Sequence, residues 1–182
     1  MRRVLSISSI LAAGVALTFI GTAGADDRHG NDRHREEVVR AHLVGVNEVP
    51  SVSSPASATF RAVIDEEAGT ISYTLKYEGF LNTVAQSHFH FGQHHTSGGI
   101  SVFICTNLGN SPGSPGCPAA SAEISGVATA ASVIGPAGQG IAAGEFAELL
   151  AAIRAGSVYV NIHSNIFPAG EIRGQVIADH RD

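Results

Sequence analysis

The residues Ser87-His88-Phe89-His90-Phe91 alternate strictly between polar and aromatic side chains. Successive side chains of a β-strand point to opposite faces of a sheet, so this stretch predicts a strand with two phenylalanines on one face and two histidines on the other. The phenylalanine face would join a hydrophobic core. The two imidazoles would point the same way, from Cα atoms about 6.6 Å apart. The alternation therefore predicts a two-faced sheet and a pair of histidines on one of its faces.

The same period of two recurs from residue 38 onward, between breaks rich in Gly, Pro, Asn and Ser. It predicts eight strands, at Val39–Val46, Ala58–Asp65, Thr70–Glu78, Ala85–Phe91, Gly99–Cys105, Ala122–Ala131, Ser157–Ser164 and Glu171–Ala178. Residues 66–69 are typical of a hairpin turn between two of them. Many short strands at this spacing indicate an all-β fold, an antiparallel sandwich or barrel.

One segment has a helical period instead. Phe146, Leu149, Leu150 and Ile153 follow the spacing i, i+3, i+4, i+7, which places them on one face of a helix. Gly156 is a typical residue just beyond a helix end. We expect this short helix to cover an open end of the sandwich.

The N-terminus has the pattern of a secretory signal peptide, predicted over residues 1–25. Two arginines at positions 2 and 3 precede an apolar run from Val4 to Ile20, and Ala23-Gly24-Ala25 provides a small-x-small cleavage pattern. An uncleaved membrane anchor is the alternative, but the run is slightly short for the ~20 residues of a membrane span. Residues 26–37 contain no apolar side chain and predict a charged, disordered tail, which leaves residues 38–179 as the domain.

The predicted export sets the compartment and limits the partners. Removal of residues 1–25, with their two Arg and no acidic residue, changes the net charge from −5 to −7. Nucleic-acid binding is excluded because phosphate contacts need clustered Lys and Arg. No later segment is apolar enough to cross a bilayer, so no membrane association is expected after cleavage. The protein is therefore expected to be secreted or periplasmic.

The two cysteines, Cys105 and Cys117, flank a loop rich in Gly, Pro and Ser. In an oxidising compartment this pair predicts a disulfide bond. A thiolate metal or redox site is the alternative, but the spacing is too long for a CxxC motif.

A second polar face is predicted near the C-terminus. Within residues 157–163 the Val and Ile side chains share one face, whereas Tyr159, Asn161 and His163 share the other. The next strand places Glu171, Arg173 and Gln175 on a single face. If the two strands form a hairpin, their polar side chains form one patch. Its members are Asn161, His163, Glu171 and Arg173, and Glu171 would either orient His163 or pair with Arg173.

The histidines suggest a metal site made by His88, His90 and His163, with His94 or His95 as a further ligand. Imidazole ligation suits copper or zinc. A blue-copper centre is excluded because its thiolate ligand is missing once the cysteines are oxidised. Two other interpretations stay open: an ordinary solvated polar face, and a polar patch that braces the sandwich.

Several short motifs carry a resemblance to a known family. They are Leu43-Val44-Gly45-Val46-Asn47-Glu48-Val49-Pro50, His88-Phe89-His90, Gly156-Ser157-Val158-Tyr159-Val160-Asn161-Ile162-His163 and Gly170-Glu171-Ile172-Arg173-Gly174-Gln175. In this order the chain resembles the CHRD (chordin-type) domain family, here as a single-domain, bacterial-type secreted member. The family pattern continues His-Thr where this chain has Ser164 after His163. The resemblance implies an extracellular or periplasmic immunoglobulin-like β-sandwich and implies little about activity.

These observations favour an exported binding or structural module over an enzyme, and they assign no catalytic residue. Its partner would be an unidentified extracellular protein or small ligand. The alternative is a copper-dependent redox enzyme, because the chain is loosely similar to Cu/Zn superoxide dismutase in its HxH strand, its later His and its Gly-x-x-Arg-Gly ending. In that case Arg173 would guide an anionic substrate.

Overall fold

The structure, a computed structural model, describes residues 36–179. The predicted signal peptide and most of the predicted tail lie outside the described residues. The strands are β1 (Glu37–Val44), β2 (Ser57–Asp65), β3 (Thr70–Glu78), β4 (Val84–Phe91), β5 (Gly99–Thr106), β6 (Ala122–Ala128), β7 (Val158–Ser164), β8 (Ile172–Gln175) and β9 (Ile177–Ala178). One α-helix, α1, spans Phe146–Arg154. No helix in this part of the chain has the length and apolar character that a membrane span requires.

All the strands join one antiparallel sheet, in the order β5-β4-β7-β8-β1-β2-β3-β6, with β9 beside β1. The sheet curls onto itself, because Phe89 of β4 meets aromatic rings from strands far along this order. Its ring centroid lies 5.3 Å from that of Phe60 in β2 and 5.8 Å from that of Tyr73 in β3. The result is a nearly closed barrel, which confirms the predicted antiparallel all-β fold with one short helix.

The inner face of the barrel is the hydrophobic core. In β2 the inward positions Ala58, Phe60, Ala62 and Ile64 are buried, and residues between them are exposed or half-buried. Strands β7 and β8 differ, since every one of their residues is buried. Both faces of these two strands are therefore covered, and the second face needs its own explanation.

Of the predicted strands, only Thr70–Glu78 matches the observed one at both ends, and the largest differences are in three strands. β1 stops at Val44 because Gly45 begins a short 3-10 turn, and β6 stops at Ala128 ahead of a second such turn. The predicted strand over 171–178 is two strands. Between them, the Val176 amide donates to the Val158 carbonyl, whereas β9 pairs with β1.

Helix α1 buries the predicted stripe. Leu149, Leu150 and Ile153 are buried and Phe146 packs against the core from a half-buried position. Gly156 follows the helix with φ of +65°, a conformation that side chains with a Cβ rarely adopt. The amphipathic prediction for this segment is confirmed.

The predicted disulfide joins Cys105 at the end of β5 to Cys117. We expect the Cys105→Ser/Cys117→Ser variant to lose about 3 kcal/mol of unfolding free energy, because the cross-link restricts the unfolded chain. Urea denaturation of both proteins under non-reducing conditions measures this. The variant should still fold, since the Asn107 side chain also holds the loop by donating to the carbonyls of Val84 and Cys117. Equal unfolding free energies would contradict the prediction.

Candidate metal centre

The register of three strands brings the predicted polar residues onto one face. On β7, Asn161 lies opposite His88 of β4 on one side and opposite Arg173 of β8 on the other. Tyr159 likewise lies between His90 and Gln175. Residues opposite each other in a ladder share a face, so these side chains all lie on the outer face of the barrel. The two polar segments that the sequence separates by about 70 residues therefore form one cluster.

The three histidines His88, His90 and His163 converge within this cluster. The ring of His88 lies 5.2 Å from that of His90 and 5.0 Å from that of His163, measured between centroids. One ring nitrogen from each residue lies within 4.8 Å of the other two. All three are buried, with His88 completely so. They are called the histidine triad in the following paragraphs, and they could hold a metal ion.

Hydrogen bonds orient two of the three imidazoles. Nδ1 of His90 lies 2.8 Å from the Gly98 carbonyl oxygen, and Nδ1 of His163 lies 2.9 Å from that of Pro168. A carbonyl oxygen only accepts, so each Nδ1 carries the proton and each Nε2 of a neutral ring keeps a free lone pair. Metal-bound histidines commonly have this same arrangement.

No hydrogen bond orients the His88 ring among the described residues. Neither of its ring nitrogens has a hydrogen-bond partner among the described residues, and the same holds for Nε2 of His90. The His88 ring packs against the Phe103 ring, with centroids 4.5 Å apart. A buried polar group without a partner costs about 1–3 kcal/mol. These two imidazoles thus have unused bonding capacity in a buried environment.

Burial keeps the histidine triad neutral. It lowers the pKa of His88 to about 2, with the neighbouring His163 and His90 adding to the effect. It lowers the pKa of His90 to about 4 against the opposing hydrogen bond to Gly98. The pKa of His163 is also lowered, again by burial. Neutral imidazoles are the form that binds metal ions.

The segment 92–98 covers this outer face. Arg173 donates to the carbonyl oxygens of Thr96 and Gln93, each at 2.7 Å, and its Cζ lies 3.4 Å from the centroid of the Tyr159 ring. Gln175 donates to the Gly92 carbonyl at 2.9 Å. Arg173 is buried. Its place in the structure is that of an anchor for the covering segment, rather than an exposed guide for anions.

Glu171 has a different partner from the two that the sequence suggested. Its Oε1 accepts a hydrogen bond from the Ser54 hydroxyl at 2.6 Å. His163 instead binds the Pro168 carbonyl, and Arg173 binds the carbonyls of segment 92–98. Glu171 therefore ties the long β1–β2 connection to the start of β8.

His94, the suggested fourth ligand, does not join the histidine triad. It lies on segment 92–98, as does His95, and both are exposed, with ring centroids 5.8 Å apart. The structure thus brings three of the four suggested metal ligands together.

Sequence reasoning missed Glu48, in the connection between β1 and β2. It is 7% exposed and its Oε1 has no partner among the described residues. Burial raises the pKa of Glu48 to about 7, although the Arg173 charge and the Asn161 side chain act the other way. A Cβ on Gly170 would lie 2.5 Å from Oε1, so a larger residue there would displace this carboxylate. The sequence signal that could have pointed to Glu48 is that it is the only charged residue in the stretch 43–60.

The comparisons with known proteins agree with the motifs. The family model of the CHRD domain matches residues 39–176, which is most of the chain and includes every residue of the histidine triad. Searches of curated proteins and of solved structures gave no significant match. On the strength of the family match, the chain belongs to the CHRD domain family.

Proposed function

We propose that this protein is an exported, non-enzymatic binding module whose histidine triad holds one transition-metal ion, copper or zinc. The observation that carries the proposal is the convergence of three buried, neutral imidazoles. Two of them are already oriented by backbone carbonyls, and the ring nitrogens of the other have no hydrogen-bond partner among the described residues.

The donor chemistry selects the metal. Imidazole nitrogen suits copper(II) and zinc(II), whereas calcium prefers a shell of oxygens. Zinc–imidazole bonds are about 2.0–2.1 Å long, which places two ligands of a tetrahedral ion about 3.4 Å apart. The three nitrogens lie within 4.8 Å of one another. Small side-chain rotations would therefore bring them to bonding distance.

Export is supported by two independent features. The first 25 residues have the order of basic, apolar and small residues found in secretory signals. The disulfide between Cys105 and Cys117 is of a kind that persists in oxidising compartments. We propose that the mature protein is secreted or periplasmic.

Metal titration of the full chain after chelator treatment tests the binding proposal. We expect one zinc or copper(II) ion per chain, and about 2.7 kcal/mol of added stability at a free metal concentration one hundred times the Kd. The His88→Ala/His90→Ala variant should lose both effects. The matched control is His94→Ala/His95→Ala, which removes two exposed histidines outside the triad and should bind like the unchanged protein. His163→Gln serves as a second variant in case the double change prevents folding.

The same samples separate the competing interpretations. Metal at background level in the unchanged protein, as measured by elemental analysis, would overturn the proposal. If the double variant has a lower melting temperature than the unchanged protein when neither contains metal, the polar cluster has a bracing role. Stoichiometric copper together with superoxide turnover would instead support the redox enzyme.

A further inference from the structure

We propose that the side-chain oxygen of Asn161 is the fourth protein donor to the ion held by the histidine triad. This inference rests on the proposed metal binding and specifies the coordination shell. It assigns a role to a residue that the sequence placed in the polar patch.

Asn161 lies at the centre of the cluster. It is buried on β7, and its Oδ1 lies 3.1 Å from Nε2 of His163. In the ladder it lies directly opposite His88 of β4, and it shares a face with His90 two residues further along that strand. One amide thus lies beside all three imidazoles.

The contact with His163 brings two electron-rich atoms together. Because Nδ1 of His163 donates to the Pro168 carbonyl, Nε2 of the neutral ring is a lone-pair acceptor. The amide oxygen that faces it is an acceptor too, so the pair has no proton to share. A cation bound by both atoms removes this conflict. Their separation of 3.1 Å is close to the spacing of about 3.4 Å expected for two ligands of one tetrahedral ion.

This arrangement has a consequence for the kind of site. Three nitrogens and one oxygen complete a four-coordinate shell, and metal sites closed by four protein ligands hold an ion without leaving a position for substrate. A catalytic site keeps one position open. Asn161 therefore favours a binding module over a copper redox enzyme.

The test uses the full chain loaded with zinc or copper(II) at pH 8, where imidazoles are neutral and free to bind metal. Zinc affinity is measured by competition with a chelator, and exchangeable water on copper(II) is measured by water-proton relaxation. We expect the unchanged protein to have no exchangeable water on its copper. Asn161→Ala should weaken zinc binding about 10–100-fold or more and admit a water molecule to the copper.

A conservative variant separates ligation from mere packing. Asn161→Asp keeps an oxygen donor and should retain zinc affinity, whereas Asn161→Ala removes that donor. His94→Ala/His95→Ala again serves as the control with no expected change.

The outcomes distinguish this inference from the proposed function. Exchangeable water on copper in the unchanged protein, or zinc affinity in Asn161→Ala within twofold of the original, overturns the assignment of Asn161 while metal binding by the histidine triad stands. If no metal binds to the unchanged protein, both the proposed function and this inference are overturned.

Discussion

Lowering the pH from 6.5 to 4.5 is expected to destabilise the metal-free protein by about 2 kcal/mol or more, because the histidine triad is buried in its neutral form. In the unfolded chain a histidine takes up a proton near pH 6.5, whereas in the folded protein burial lowers the pKa of His88 to about 2 and that of His90 to about 4. The unfolded state therefore binds more protons below pH 6.5, and each such imidazole costs about 1.4 kcal/mol per pH unit.

One buried group acts in the opposite direction. The pKa of Glu48 is raised to about 7, so between pH 4.5 and 7 the folded protein keeps a proton that the unfolded chain has released. Lowering the pH through this window favours the folded state, and it offsets the destabilisation caused by about one buried imidazole. Arg173, the nearby cation, stays charged throughout. The net loss of unfolding free energy from His88, His90 and Glu48 is thus about that of one buried imidazole. His163, whose pKa is also lowered, adds to the loss.

Urea denaturation at pH 6.5, 5.5 and 4.5, in the presence of a chelator, measures this slope. His88→Leu removes one of the titrating groups and should flatten the slope by about 1.4 kcal/mol per pH unit. His94→Ala/His95→Ala removes two exposed histidines and should leave the slope unchanged. A slope that is the same in His88→Leu as in the unchanged protein would show that the buried imidazole is not its source.

Truncation of Phe89 to alanine is expected to cost about 3–5 kcal/mol of unfolding free energy, the largest effect of any single substitution considered. The Phe89 ring is 2% exposed and contacts the rings of Phe60 and Tyr73, so it joins strands that lie far apart in the sheet order. Its removal leaves a cavity where the barrel curls onto itself.

Thermal or urea unfolding of Phe89→Ala measures the cost. Phe91→Ala is the matched control, because this residue lies on the same face of β4 but is only half-buried, and a smaller loss is expected. The histidines of β4 project from the other face, so Phe89→Ala should change the zinc affinity by no more than a few-fold if it folds. A cost below that of Phe91→Ala would contradict the assignment of Phe89 to the core.

Local patterns in the sequence predicted much of the fold. Alternation at residues 87–91 and 157–163 predicted both the core face and the histidine face of β4 and β7, because a strand has a period of two whatever its neighbours are. The spacing of Leu149, Leu150 and Ile153 predicted helix α1 in the same way. Strand ends were less exact where a short turn, such as the one at Gly45, interrupts an apolar run.

The burial of the polar face could not be predicted by the same means. An alternating strand normally has one face in water, and only the contacts of Arg173 with segment 92–98 show that this face is covered. Glu48 reaches the cluster from the long connection between β1 and β2, whose path depends on tertiary packing rather than on any local period. Nor does the sequence show that His94 lies exposed, away from the histidine triad, since loop residues have no fixed period.

The attachments of segment 92–98 bear on how quickly a bound ion could leave. Four side chains of the outer face that it covers form hydrogen bonds with its backbone. They are those of His90 and Tyr159 at Gly98, Arg173 at Gln93 and Thr96, and Gln175 at Gly92. An ion beneath the segment would escape by that route only after several of these bonds break together. The residence time of the metal would then be governed by local unfolding of this segment, and exchange with free metal would be slow even where the equilibrium affinity is modest.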